Sequence, residues 1–180
     1  MLSNRRRHRV VASLVGLAIM VLPGGAVAAG GAVHARAEIV NTAGEVVGWA
    51  KFTEDATGTL HVNVHVAGLA PGLHGIHIHS AAACVLGTTP AFSSAGSHHN
   101  PLGALHGNHA GDLPNLVANV AGRGHLNATS DGATLSSGSG VSLFDGNGSA
   151  IVIHAYPDDY VTNPTGNSGA RVACGVIVAD

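Results

Sequence analysis

The chain has 180 residues, of which 46% are hydrophobic, enough for one domain with an apolar core. Its formal net charge is −2 and only 10% of its residues are charged, so the composition excludes a highly charged disordered chain and a strongly basic nucleic-acid-binding protein. Aromatic residues make up 3%, whereas there are 26 glycines and 13 histidines. This balance favours short strands and turns over long helices, and it leaves the histidines to be explained.

The first 28 residues have the pattern of a secretory signal peptide. Four arginines precede an apolar run at 10–22, which Pro23 and two glycines end before the small residues Ala26 and Ala28. The run is too short and too broken for a membrane-spanning helix, and no cysteine lies near the cleavage-like site to carry a lipid anchor. We therefore predict a signal peptide at 1–28 and one domain at 29–180, exported to the periplasm, cell envelope or medium without a stable membrane anchor.

Removal of that segment would leave four basic and ten acidic residues, a net charge of −6. A chain with this charge is not expected to bind nucleic acid. Its two cysteines, Cys84 and Cys174, are an even pair in an oxidising compartment and are most simply joined to each other.

Strand-like runs follow the leader in chain order. They are rich in β-branched residues and bounded by Gly, Asn, Asp or Pro, and they occupy 33–40, 45–54, 58–69, 75–80, 116–130, 149–157 and 171–179. No segment has a helical period over two or more turns. The pattern predicts an all-β antiparallel sandwich or barrel.

The stretch from Ser80 to Pro114 has almost no alternation. A loop of about 35 residues without structure of its own is unusual in a compact domain unless something other than packing orders it. Because several histidines and Asp112 lie in it, metal coordination could supply that order.

Two histidines on one strand face are the first candidate ligands. His77 and His79 are two residues apart and point to the same side, whereas His74 has the opposite parity and is interpreted as a hydrogen-bonded interior histidine. His154 lies in an otherwise aliphatic strand and could complete their set, although an isolated strand histidine is more often a satisfied core residue. Imidazole-only coordination suits Cu(II).

The loop supplies a second candidate set. Three imidazoles and one carboxylate would suit a closed, tetrahedral zinc site that needs neither cysteine. The candidate side chains in this stretch are His98, His99, His106, His109 and Asp112.

Five motifs together resemble the copper/zinc superoxide dismutases, especially the exported bacterial branch. They are, in order, GLHGIHIHS, SAGSHHNP, HGNHAGDLPNL, IVIHAYPDD and GNSGARVACGV, and the similarity covers roughly residues 34–180. The resemblance implies an eight-stranded antiparallel Greek-key β-barrel or sandwich with a long metal-binding loop.

The resemblance also implies a role for each matching residue. Copper would be held by His77, His79, His98 and His154, and zinc by His98, His106, His109 and Asp112, so that His98 bridges the two ions. Asp158 would orient one histidine of each site, Arg171 would stand beside the open copper face, and Cys84 and Cys174 would form a disulfide.

Several other histidines fall outside this pattern. His99 stands next to the bridging position, where the family usually has an aromatic or aliphatic residue, and we interpret it as a packing residue. His61, His65 and His125 lie on strands without a partner motif and are expected to be exposed or hydrogen-bonded histidines.

The implied reaction converts superoxide to dioxygen and hydrogen peroxide by copper redox cycling, with His98 donating a proton to the product and Arg171 attracting the anion. Two alternatives remain open. One is an exported copper- and zinc-binding module that buffers metal without turnover, and the other is a secreted adhesion sandwich whose histidines are incidental. A homodimer is possible, although the sequence has no obvious interface patch.

Overall fold

The computed structural model describes residues 33–180, so the predicted signal peptide lies outside the described residues. Ten strand segments and one 3₁₀ turn, Ser93–Ala95, make up its regular structure. The strands are β1 (Val33–Asn41), β2 (Val46–Glu54), β3 (Leu60–Val66), β4 (Gly72–His74), β5 (Ile76–His79), β6 (Leu116–Ala118), β7 (Gly124–Ser130), β8 (Ala150–His154), β9 (Arg171–Val176) and β10 (Val178–Ala179). Within residues 33–180 there is no helix with the length and apolar character needed to span a bilayer.

The strands form one antiparallel sheet that nearly closes on itself. Its order is β4-β6-β7-β3-β2-β1-β9-β8-β5, and β10 pairs with β1. The first and last strands of this order, β4 and β5, are consecutive in the chain and separated by Gly75 alone. If β4 and β5 (72–79) are counted as one strand, and β9 and β10 (171–179) as another, the sheet has eight strands. This confirms the predicted all-β, eight-stranded antiparallel barrel.

The predicted runs at 58–69 and 149–157 extend beyond β3 and β8, and two further differences from the structure concern how strands are divided or begin. The run at 116–130 is divided into β6 and β7 by a turn in which the Asn119 side chain accepts hydrogen bonds from the backbone of Ala121 and Arg123. Conversely, the run at 75–80 begins earlier, at Gly72, because β4 pairs with β6.

Alternation along the strands builds the core. In β3, Leu60, Val62, Val64 and Val66 point inward while the three residues between them face outward. Because successive side chains of a strand point to opposite faces, this alternation places apolar side chains on the buried face of the sheet and polar side chains on the solvent face.

Strands β5 and β8 are buried on both faces. Ile76 and Ile78 of β5 join the barrel core, together with Ile151 and Ile153 of β8. The opposite face is covered by the loop after β5, where Phe92 and Ala95 pack against Val152 in a second apolar cluster. The candidate ligands of these two strands therefore lie between the barrel and the loop.

Candidate metal centre

Three of the predicted ligands project from the loop-covered face of β5 and β8. His77 and His79 alternate with the core residues Ile76 and Ile78, and His77 is directly opposite Val152 in the β5–β8 register. His154 has the same parity as Val152 and points to the same side. All three side chains are buried.

The loop lies along β5 and brings the remaining ligands to this face. The backbone N–H of His99 donates to the carbonyl of Ile78 at 2.8 Å, and the N–H of Ile78 donates to the carbonyl of Gly111 at 2.8 Å. Gly111 passes so close to the Ile78 carbonyl that a Cβ at this position would collide with that backbone oxygen. A glycine is therefore needed where the loop crosses the strand.

Two groups of four ligand atoms result, and they share one residue. In each group the ligand atoms lie within 4.8 Å of one another. The four-histidine group consists of His77, His79, His98 and His154, and the Asp112 group consists of His98, His106, His109 and Asp112. The structure thus brings together the same two sets of residues that the family resemblance implied, with His98 in both.

The four-histidine group offers unsatisfied ring nitrogens. Buried nitrogens without a hydrogen-bond partner among the described residues are Nδ1 of His77 and Nε2 of His79, His98 and His154. Burying a polar atom without a partner is unfavourable, so four such atoms on one site indicate a missing binding partner. A cation that accepts imidazole nitrogens, such as copper, fits this set.

The Asp112 group offers three nitrogens and a carboxylate. Nδ1 of His98 lies 2.9 Å from Oδ1 of Asp112, and Nδ1 of His109 lies 3.4 Å from Nδ1 of His98. Within residues 33–180, Nδ1 of His106 has no hydrogen-bond partner. Burial opposes ionisation of Asp112, but hydrogen bonds from His98 and from the His109 backbone outweigh it and lower the pKa to about 2. The carboxylate is therefore ionised at neutral pH, and the set fits tetrahedral zinc.

Asp158 connects the two groups. Its Oδ2 lies 2.6 Å from Nε2 of His77 and its Oδ1 lies 2.8 Å from Nε2 of His106, so one carboxylate orients a histidine of each group. Burial again opposes ionisation, but the hydrogen bonds from His77 and His106 dominate and lower the pKa of Asp158 to about 2.

Asn115 holds Asp158 and was not predicted from the sequence. Its side-chain Oδ1 accepts from the Asp158 N–H at 2.8 Å, and its Nδ2 donates to the Asp158 carbonyl at 2.9 Å. An asparagine beside a proline in a loop is commonplace, so no sequence pattern singled it out.

Two backbone carbonyls orient the remaining ligands. Nδ1 of His79 donates to the carbonyl of Gly96 at 3.0 Å, and Nδ1 of His154 donates to that of Gly169 at 3.1 Å. Burial lowers the pKa of His79 to about 2 and that of His154 to about 3, so both rings are neutral, as ligation requires. Sequence patterns do not reveal these carbonyls.

Arg171 borders a cavity of about 420 Å³ that reaches His79, His98 and His154. Its guanidinium donates to the carbonyls of Phe92 and Gly96, each at 2.6 Å, and is thereby held beside the four-histidine group. Burial lowers the pKa of Arg171 from its usual value, but an arginine remains cationic at neutral pH.

The other predicted residues have structural positions. Cys84 and Cys174 form the predicted disulfide, which is confirmed. The ring nitrogens of His74 face the carbonyls of His154 at 2.7 Å and Ala70 at 2.8 Å, and His99 is buried with Nε2 3.3 Å from the carbonyl of Val141. Neither belongs to the two ligand groups.

Comparisons with known proteins identify the family. The sequence profile of the copper/zinc superoxide dismutases (SODC) matches residues 46–177, a range that contains both ligand groups, Asp158 and Arg171. Superoxide dismutase [Cu-Zn] 2 of Aquifex aeolicus is 41% identical over 150 residues, covering 79% of this chain and 85% of that protein. The superoxide dismutase-like protein YojM of Bacillus subtilis is 38% identical over 150 residues, covering 79% of this chain and 75% of that protein.

Solved structures have the same architecture. A SOD-like protein from Bacillus subtilis superposes with a TM-score of 0.74 at 38% identity, covering 79% of this chain and 97% of that one. The Cu/Zn superoxide dismutase from Brucella abortus superposes with a TM-score of 0.65 at 27% identity, covering 79% of this chain and 98% of that one. From the matching profile, these relatives and the barrel with its paired histidine groups, we conclude that the chain belongs to the copper/zinc superoxide dismutases, a family of oxidoreductases.

Proposed function

We propose that this protein is an active superoxide dismutase, with copper in the four-histidine group and zinc in the Asp112 group. The observation that carries the proposal is the position of His98. Its Nε2 is buried on the side of the four-histidine group with no hydrogen-bond partner in the described part of the chain, while its Nδ1 faces Asp112 and His109. One imidazole ring could thus bridge two cations of different kinds.

The overall reaction takes two superoxide anions and two protons to one dioxygen and one hydrogen peroxide. When bound, copper would supply the alternating one-electron oxidation and reduction, and zinc would supply a fixed positive charge. The protein must deliver the anion and a proton to the cavity.

His98 is the proposed proton donor. Its Nε2 can hold a proton at the wall of the cavity whenever that atom is not a metal ligand, because the ring is fixed from the other side through Nδ1. Transfer of that proton to the reduced substrate would leave the ring ready to be protonated again.

Arg171 is the proposed anion-binding residue. Among the described residues that line this cavity there is no lysine, aspartate or glutamate, so Arg171 supplies the positive charge at its wall. Focusing of a positive potential in such a cavity attracts a small anion even where the whole protein is negatively charged.

Superoxide consumption by the fully metal-loaded protein tests this proposal, with the metal-free protein as the blank. We expect the loaded protein to accelerate the decay of superoxide in proportion to its copper content. If the loaded protein retains both metals and yet consumes superoxide no faster than the blank, the enzymatic proposal fails. That outcome would support the alternative left open by the sequence, an exported copper- and zinc-binding module that buffers metal without turnover.

We also propose that the protein acts outside the cytoplasm, in defence against superoxide. The signal-like pattern of residues 1–28 and the disulfide between Cys84 and Cys174 support this location, since disulfides persist in oxidising compartments. Recovery of a shortened chain from the envelope or medium fraction is expected, and recovery of the full-length chain from the cytosol alone would contradict it.

A further inference from the structure

A row of aromatic and histidine side chains lies on the outer face of the barrel, away from the proposed metal centre. Trp49 of β2 is directly opposite His65 of β3, and His65 is directly opposite His125 of β7. All three residues are exposed. In the sheet order, β2, β1 and β9 lie between β3 and β8, so this row is on a different part of the barrel from His154.

The two imidazoles of the row are in contact. The ring centroids of His65 and His125 are 4.5 Å apart, as are those of Trp49 and His65. The His65 ring makes no hydrogen bond to any described residue, and Nε2 of His125 has one neighbour, Nδ2 of Asn63 at 3.5 Å. Neither ring is therefore committed to a structural role through strong hydrogen bonds.

This geometry suits chelation. Imidazole nitrogens bind first-row metals at about 2.0 Å, so two adjacent ligands of one ion are roughly 3 Å apart. Directly opposed residues of antiparallel strands have Cβ atoms about 5 Å apart, a separation from which two imidazoles can converge on one ion. Water from the exposed side would fill the remaining coordination positions.

We propose that His65 and His125 form a third metal site, which takes a divalent transition cation and prefers Cu(II). Imidazole suits copper, nickel and zinc, and Cu(II) has the highest affinity of the three for a nitrogen site. Asn63, on the same face, could add its amide oxygen after half a rotation of the carboxamide.

Two neighbouring cations limit the affinity. The ammonium of Lys51 lies 5.3 Å from the Trp49 ring, and Arg123 borders the same surface hollow as Trp49 and His65. The described residues that line this hollow include no carboxylate such as Asp112 provides in the metal centre. With two imidazoles, the site is therefore expected to bind more weakly than either four-ligand group.

Trp49 provides the test, because it is the only tryptophan in the chain and its ring contacts that of His65. Protein with both four-ligand groups already loaded is titrated with Cu(II), and Trp49 fluorescence and bound copper are measured together. We expect saturable quenching with one additional equivalent of copper, reversed by a chelator.

The key variant is His125→Ala, which leaves the contact between His65 and Trp49 in place. Loss of one tethered ligand should weaken Cu(II) binding about 100-fold. The matched control is His61→Ala, which removes an exposed histidine from the same face of β3 but keeps the pair. Equal quenching in wild type and His125→Ala, or no saturable quenching in wild type, would overturn the proposal.

Discussion

At the scale of single residues, Asp158 orients one histidine of each ligand group in the metal centre. It fixes His77 on β5 and His106 in the loop, although these residues are separated from it by 81 and 52 positions in the chain. An ionised carboxylate accepting from both Nε2–H groups leaves the Nδ1 atoms of both rings free to bind metal.

We expect Asp158→Asn to weaken metal binding by about 10- to 100-fold. The asparagine side chain has only one acceptor oxygen, and its NH₂ group cannot accept the second hydrogen bond from a histidine N–H. Competition with a chelator of known affinity measures the change. Asp159→Asn is the control, since it removes the same charge one residue away, where the carboxylate bonds Thr162 and Asn167. Equal affinities in wild type and Asp158→Asn would contradict the proposed orienting role.

Arg171→Glu tests the steering of the anion. Reversing the charge beside the cavity should lower the rate of superoxide consumption at low salt by at least about tenfold, and added salt should narrow the difference. Both metals should remain bound, which metal analysis checks. The control variant Arg123→Glu makes the same charge change elsewhere on the barrel and should leave the rate nearly unaltered. If Arg171→Glu consumes superoxide as fast as wild type, Arg171 does not steer the anion.

At the scale of elements, the disulfide ties the metal-binding loop to β9. Cys84 and Cys174 are 90 positions apart, and Cys174 packs with Phe92 and Val152 in the apolar cluster beneath the loop. The bridge thus joins the covering segment to the strand that carries Arg171.

Replacing both cysteines by alanine should lower the free energy of unfolding by about 4 kcal/mol, since a bridge of this span restricts the unfolded chain strongly. Urea unfolding measures the loss. Wild-type protein treated with a reductant should resemble the variant, and a change below about 1 kcal/mol would show that the covering loop is held by other contacts.

Glu54 forms hydrogen bonds to the segment that follows β7. Its carboxylate accepts from the Thr134 hydroxyl at 2.6 Å, the Leu135 N–H at 2.6 Å and the Ser136 N–H at 3.0 Å. Burial by itself would raise the pKa of Glu54, but these bonds favour the charged form and lower the pKa below its ordinary value of 4.5.

Glu54→Gln should lower the free energy of unfolding by about 2 kcal/mol at neutral pH, because hydrogen bonds to a charged acceptor are lost. A lowered pKa means that this stabilisation is present above pH 4.5 and disappears as the pH falls through the folded-state value. Urea unfolding at pH 7 and in acid should therefore show a difference that shrinks on acidification. Glu38→Gln, at an exposed position of β1, should show little effect at either pH.

At the scale of the whole molecule, the metal centre is a buried polar site whose unpartnered ring nitrogens bound cations would satisfy. Without them, His79 and His154 stay neutral inside the fold, whereas in the unfolded chain they take up protons near pH 6.5. The unfolded state then binds more protons than the folded state, so acid favours unfolding.

We expect the metal-free protein to unfold at a lower temperature than the loaded protein at pH 7, and to lose further stability between pH 6.5 and 4. Each of these two histidines contributes up to about 1.4 kcal/mol per pH unit in that window. Calorimetry of metal-free, loaded and reloaded protein measures both effects. A metal-free unfolding temperature that equals that of the loaded protein, or stays constant over this pH range, would contradict the expectation.

Much of this architecture follows from local patterns. The β-branched run at 58–69 predicted the strand that the structure shows as β3. The spacing of His77 and His79 predicted two ligands on one side, because side-chain direction in a strand depends on parity. Family motifs carried the prediction further, to the two ligand groups and the disulfide. The division between β6 and β7 was missed because the turn around Asn119 lies within a run of otherwise strand-forming residues.

The amino-acid order thus determined the strands, the candidate ligands and the family. Only the folded chain decided which nitrogen of each ring is free, because the other nitrogen is held by Asp158, Gly96 or Gly169, partners brought close by strand register and loop closure. The same holds for His65 and His125, which have no motif in common and become neighbours through the β3–β7 pairing. Contacts between residues distant in the chain depend on the whole sheet, and no local pattern encodes them.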